Sequence, residues 1–367
     1  MRPPAQVMTL VAGTSTLLIV LSASPAASRT LRVPDEYERI QPALNAAEPG
    51  DTVLVAPGTY SGDWNRDMGF LGNDIVLRSE MGAGATVIDS GGSQAEPHRA
   101  FYFHLGESAA ARVEGFTIRG GFVRVFIGEG GGGGILCVNG STPTIVDCVF
   151  DGNRAAAGGA IACRSSPVTI LGCTFAHNEG VQGGAISLGS SAAVISGCTF
   201  VANAATGADD PFCSGIYSNS SSPPQLSNCI IADGIGLFGE AVQCATGTSV
   251  TLICCDLHGN EGGDWVGCIA DQLGVSGNIS VDPLFCNATA GIFTLAANSP
   301  CLPGNDPLRQ GCGLIGAHGE GCPPSVIENT SWGRIKWTIG RWSSGAGPVA
   351  RAPGRGHEPA PAVAGRP

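Results

Sequence analysis

A repeat of about 25 residues constrains this chain more than any other feature. Five cysteines, Cys148, Cys173, Cys198, Cys229 and Cys255, mark its copies. Three residues before each stands an aliphatic: Ile145, Ile170, Ile195, Leu226 and Leu252. Two residues after each comes a second large apolar side chain, Phe150, Phe175, Phe200, Ile231 and Leu257, and five after come Asn153, Asn178, Asn203, Gly234 and Asn260. Upstream, a Gly-rich corner leads into Ile135, Ile161, Ile186, Ile216 and Val242, always 12 or 13 residues before the cysteine. Whatever the chain folds into must present these positions equivalently, copy after copy.

Alternations of three to five residues separated by Gly, Ser, Asn and Asp read as short strands, not helices. Three such strands close one turn of a solenoid, and successive turns stack at about 4.8 Å, the spacing of hydrogen-bonded strands. Equivalent aliphatics then pile up inside, and stacked Asn side chains bond between turns at a corner where left-handed backbone is tolerated. Val113, Phe116, Ile118 and Gly121 continue the pattern upstream, and Val53 to Val55 and Ile75 to Leu77 supply further turns. The predicted fold is all-β: a right-handed parallel β-helix of roughly ten turns with a short N-terminal capping helix.

A solenoid must hide its end turns. Glu38 to Ala47 is the N-terminal candidate, with Ile40, Ala43, Leu44 and Ala47 on one helical face and Pro42 tolerable only in the first turn. At the other end Cys286, Cys301, Cys312 and Cys322 are expected to pin an irregular cap with two bridges, any of three connectivities being open. Cys213, Cys244, Cys254 and Cys268 lie beside the ladder and are further candidates for bridges, while the ladder cysteines themselves read as buried filler.

Arg2, the apolar run Val7 to Leu21 and the small residues Ser24 to Ser28 describe a secretory signal over residues 1–28. Residues 29–322 form the β-helix domain with its C-terminal cap, and the mature chain is expected to be exported, without a transmembrane span, to a space where disulfides persist. Residues 323–367 form a basic, largely disordered tail, with Trp332, Ile335, Ile339 and Trp342 on the stripe of a short amphipathic helix. Over residues 30–323, 11 basic side chains face 28 acidic ones, and no Lys or Arg occurs between Arg164 and Arg309. A phosphate backbone would be repelled along that stretch, which excludes nucleic acid as a partner.

The opening IQPALNAAEPGDTVLVAPGTY, with IVLRSE and TVIDSGG, resembles the N-terminal part of right-handed parallel β-helix proteins of the pectin-lyase-like superfamily. The GGAI repeats with FDGN, FAHN and FVAN are similar to the repeats of chlamydial polymorphic outer-membrane proteins, and GNISVDPLF, FTLAANSPC and GLIGAHG to the close of exported bacterial β-helix proteins. The resemblance implies fold more than function, because the matching residues are those that build turns. It also implies polysaccharide lyase or glycoside hydrolase activity as the alternative to a non-catalytic binding protein.

Glycosidases need two suitably spaced carboxyl groups, and uronate lyases a base with Ca²⁺ or Arg to neutralise the substrate carboxylate. Asp209-Asp210, His318-Gly319 and Arg334-Ile335-Lys336 follow the order of polygalacturonase motifs, but over 100 residues part Asp210 from His318, so no catalytic residue is assigned. Sugar binding requires only an aromatic plate flanked by polar groups. GDWNRD offers Trp64 with Asp63, Asn65 and Asp67, and GGDWVG offers Trp265 with Asp264. No cofactor is required; Asp209 and Asp210, or Glu261 with Asp264, carry the oxygen ligands Ca²⁺ takes. The expected function is an exported, non-catalytic β-helix offering an extended acidic surface to a polysaccharide or a cell surface.

Overall fold

The computed structural model describes residues 7–12, 15–20, 27–123, 130–206, 213–236, 239–306 and 311–324. The Asp209-Asp210 pair and the Trp332 stripe lie outside these residues. Near the start, Val7–Ala12 pairs antiparallel with Ser15–Val20. From Thr30 onward the chain is a parallel β-solenoid of about 11 turns, one more than the repeats predicted.

Sheet I has nine strands, running from Thr30–Val33 to Thr251–Ile253. Sheet II has eight, from Gly58–Ser61 to Asp256–His258, and sheet III six, from Phe101–Phe103 to Val242–Cys244. A four-stranded sheet IV, between Phe122–Val123 and Ala204–Ala205, bridges II and III in the middle turns. The register matches the sequence alignment: Ile145 pairs with Ile170 and Ile170 with Ile195, all three fully buried. On sheet II the rings of Phe150, Phe175 and Phe200 lie parallel, with centroids 4.9 and 4.6 Å apart. In the GGAI corners, a Cβ on Gly158, at φ +58, would collide with the carbonyl oxygen of Ile161; only glycine fits there.

The asparagine corner is bonded through its core. Asn178 Oδ1 accepts from the backbone N–H and side-chain amide of Asn153 at 3.0 and 3.1 Å, and Asn178 Nδ2 donates to the Phe150 carbonyl at 2.9 Å. Asn203 does the same for Asn178. The ladder cysteines are free and buried, each thiol lying against the carbonyl two residues before it.

At the N-terminal end the expected helix spans Ile40–Ala46 and buries Ile40, Ala43 and Leu44, with Pro42 in its first turn. Its first free N–H groups are satisfied from outside: Ile40 N–H by Asn65 Oδ1 at 3.0 Å and Gln41 N–H by the Trp64 carbonyl at 2.9 Å. Nearby, Asp51 ties the first turn to the second. Burial opposes its charge, yet the N–H groups of Glu48 and Arg29 and the Arg29 guanidinium hold its carboxyl below the usual range.

The C-terminal end corrects the sequence reading. The last turn is closed by Gly267–Ile269, with Ile269 buried, and by a Cys244–Cys268 bridge. Residues 284–306 and 311–322 do not cap the end but turn back as a strap over the outer face of sheet II. Leu295, Cys301, Leu302 and Ile315 cluster with Ile230 and Ala232, and Phe293 with Ala176 and Val201. The physical reason is an outward face that is apolar in these turns and must be covered. Of the four expected cap cysteines only Cys286–Cys322 form a bridge together; Cys312 pairs with Cys254, and Cys301 keeps a buried thiol that donates to Asp256 Oδ2 at 3.1 Å. The strap ends with Ala317 N–H on Thr199 Oγ1 at 2.9 Å and His318 Nε2 2.8 Å from Thr174 Oγ1.

Two outcomes are expected. Asn178→Ala, which strips partners from several buried polar groups, lowers stability by about 3 kcal/mol in denaturant titration. Burial also pushes the His318 imidazole below its ordinary value. Neutral His318 therefore supports strap docking in full above about pH 6.5, the unfolded value, and that support is lost as pH falls through the folded one. Hydrogen-exchange protection of residues 311–322, corrected for intrinsic rates, should drop between pH 7.5 and 5, and His318→Gln should flatten the change.

Candidate functional site

A groove of about 610 Å³ opens beside the capping helix, within the roughly 300–1,000 Å³ of ligand pockets. Three elements build it. The helix contributes Gln41 and Asn45, the loop after the second turn contributes Asp63, Trp64, Arg66, Asp67 and Leu71, and the first strand of sheet III brings His98, Tyr102 and His104 alongside.

The loop is anchored from within. Asn65, Met68 and Phe70 are buried; Asn65 caps the helix, and Met68 is paired to the sheet III strand through the carbonyl of Ala100 and the N–H of Tyr102. Between these anchors the outward residues take left-handed backbone: Trp64 at φ 72°, Asp67 at 50° and Leu71 at 57°. Such a conformation costs a bulky side chain roughly 1 kcal/mol or more. Trp64 is nonetheless 56% exposed, so packing does not repay that cost.

Charges in the groove are paired. Asp63 Oδ1 lies 2.9 Å from Arg66 Nη2. Asp67 Oδ2 lies 2.5 Å from His98 Nδ1, and its Oδ1 accepts the N–H of Arg99 at 3.1 Å. The Tyr102 and His104 rings stack 4.1 Å apart and nearly parallel, with the Arg99 guanidinium 5.4 Å from the Tyr102 ring centre. Gln41 is locked to Gly69 in both directions and donates to Asn45 Oδ1 at 2.7 Å. The result is a floor of flat rings rimmed by hydrogen-bonding groups.

Of the residues predicted to bind sugar, Asp63, Trp64 and Asp67 come together here. Asp264 and Trp265 do not. Asp264 Oδ1 accepts from Asn260 N–H at 3.0 Å and from its side-chain amide at 2.7 Å, standing where the next Asn of the ladder would stand. Trp265 packs against the end of the core and donates its indole N–H to the Ile279 carbonyl at 3.0 Å. Glu261 is engaged by the Gly236 N–H at 2.7 Å, and among the described residues no three or more His, Cys, Asp or Glu side chains are grouped to hold a metal ion. His98, Tyr102 and His104, the groove's far wall, escaped sequence reasoning; the alternation FYFH that sends Tyr102 and His104 outward from buried Phe101 and Phe103 was the available signal.

A second pocket of about 250 Å³, lined by Asp233, His258, Asp282 and the start of the strap, was also not foreseen. Burial raises the Asp233 carboxyl above its ordinary value; His258 opposes that shift and Asp282 and Asp264 add to it.

The family model for a right handed beta helix region matches residues 103–280. The parallel sheets over that stretch and on either side of it form the β-solenoid described above. No curated protein matches the chain. The groove belongs almost wholly to the turns before the matched stretch. Among the described residues no helix is long and apolar enough to cross a membrane.

Replacing Trp64 by Gly should leave stability within about 1 kcal/mol of the parent, since strain is relieved where little packing is lost. Trp265→Ala should cost about 2–3 kcal/mol, because it uncovers the end of the core. Chemical denaturation of the two variants side by side checks the contrast.

Proposed function

We propose that this protein is an exported, non-catalytic saccharide-binding β-helix and that the groove around Trp64 is its binding site. One observation carries the reading: an exposed tryptophan in left-handed backbone shares a groove with the Tyr102–His104 stack and with polar groups held on rigid elements. Sugar rings offer flat arrays of C–H groups to aromatic faces and hydroxyls to carboxylates and amides, and this groove supplies both kinds of surface. Three disulfides and the signal-like start support export, and the resemblance of the repeats to chlamydial polymorphic outer-membrane proteins favours a cell-surface setting.

A second reading, a glycoside hydrolase, is favoured by Asp233, whose raised carboxyl in a pocket with Asp282 is the kind of pairing that separates an acid from a base. One experiment addresses both. In affinity electrophoresis against a polysaccharide panel the full chain should be retarded by at least one neutral or acidic glycan, and Trp64→Ala should weaken that retardation at least tenfold, about 1.4 kcal/mol. No retardation at all sinks the binding reading. New reducing ends that Asp233→Asn abolishes would replace it with the hydrolase.

A further inference from the structure

We infer that the outward face of sheet I, over its last five strands, is a self-association surface on which a second copy of this chain packs face to face. The inference stands apart from the saccharide reading. Of the three long sheets, sheet II is covered by the strap in its apolar turns, and the outward residues Leu136, Ala162, Ser187 and Tyr217 of sheet III are themselves buried. Sheet I keeps an open face. One of its outward files runs Thr144, Thr169, Val194, Gln225 and Thr251, and the other Val146, Leu171, Ser196, Ser227 and Ile253. None of these side chains is charged, and Val194 and Ile253 are 47% and 45% exposed. One turn earlier the same files carry Arg112 and Glu114, which pair with each other and, through Glu114, with Arg78. Charges also flank the face: Asp147 at the corner to sheet II, Arg164 at the end of a sheet III strand and Asp271 beside the last turn.

What fits this face best is another like it. Thr, Val, Leu and Ile side chains interdigitate when two sheets pack about 10 Å apart. Charge favours the same place, because residues 30–323 hold 28 acidic against 11 basic side chains. Two copies repel over most of their surfaces and approach at least cost where neither presents a charge. Five strands at about 4.8 Å, crossed by about six residues of extended chain at about 3.3 Å each, make a face of roughly 24 by 20 Å, or about 500 Å². Two such faces bury about 1,000 Å², the lower bound for a specific interface, so the dimer is weak and concentration-dependent. Association also stops at two. A head-to-tail stack needs an open strand edge, and the last strand of sheet I has its edge already bonded. Gln272 Oε1 accepts the Leu252 N–H and its Nε2 donates to the Val250 carbonyl, both at 2.8 Å, while Asn278 Nδ2 donates to the Leu252 carbonyl at 2.9 Å. A two-fold axis near Val194, on the middle strand of the five, closes the pair.

Sedimentation equilibrium of the full chain, across the micromolar range and at low and high salt, tests this. The expected result is a monomer–dimer equilibrium without larger species, tighter at high salt because screening weakens the repulsion between the acidic bodies. Val194→Lys sets like charges against each other across the two-fold axis and should weaken the dimer at least tenfold. Thr59→Lys, at an exposed position on sheet II, adds the same charge away from the face and should leave the dimer unchanged. Circular dichroism confirms that both variants fold. A chain that stays monomeric at every concentration and salt overturns the inference. So do species that grow beyond a dimer, a dimer that high salt dissolves, which ion pairs on another surface would hold, and a dimer that Val194→Lys leaves intact.

Discussion

The inter-turn strand register is the constraint on which everything else depends. Parallel strands stacked at one hydrogen-bond spacing leave a residue above and a residue below each inward position, so a side chain that fits once fits again. The Ile145–Ile170–Ile195 file, the parallel phenylalanines and the Asn153–Asn178–Asn203 chain are three expressions of this rule. Unequal turns survive only where the extra residue leaves the ladder. Asn corners are also directional, each amide taking its acceptor from the following turn, so the series needs a terminator. Asp264 provides it, offering Asn260 the oxygen that a further turn would have offered.

Charge follows the turns unevenly. In the first half the acids have basic partners: Asp51 with Arg29, Asp89 with Arg119, Glu114 with Arg78 and Arg112, Glu179 with Arg154. Past Arg164 no Lys or Arg occurs until Arg309, so Asp233, Glu240 and Asp282 have none from those turns. The acidity foreseen as an extended surface is therefore concentrated toward the C-terminal turns. There burial raises both Asp233 and Glu240 above the ordinary carboxylate range. Exposed ion pairs contribute little stability each; in the groove their consequence is to hold carboxylates and rings in one arrangement.

How much of this was legible in the sequence follows from whether a position repeats. Inward files announce themselves because the same residue type returns at the same offset, and the capping helix did so through its own apolar face. Sites depend on exceptions, and exceptions have no period. Gly62-Asp63-Trp64 and Gly263-Asp264-Trp265 are the same tripeptide, yet the first stands out from the solenoid and the second closes it. What separates them is three-dimensional: Trp64 follows a strand with further turns stacked after it, whereas Trp265 comes where no repeat remains to cover the core.

The strap shows the same logic on the outside of the molecule. In the register of sheet II, one outward file runs Asp89, Arg119, Asp151, Ala176, Val201, Ala232 and His258. Its charged members pair along the surface, Arg119 with Asp89 and His177 with Asp151, and water suits them. Its three apolar members are those that the strap covers, with Phe293 over the first two and the Leu295 cluster over the third. The neighbouring file changes in step, Thr174 and Thr199 bonding to His318 and Ala317 and Ile230 packing beneath Ile315. The strap therefore stops where the outward side chains turn from apolar to charged. Its reach is set by the cost of leaving Ala176, Val201, Ala232 and Ile230 in water, and disulfides from Cys312 and Cys322 hold it in place once it is docked. Nothing on the charged turns rewards it for going further toward the helix, and among the described residues the face around Trp64 lies beyond its reach.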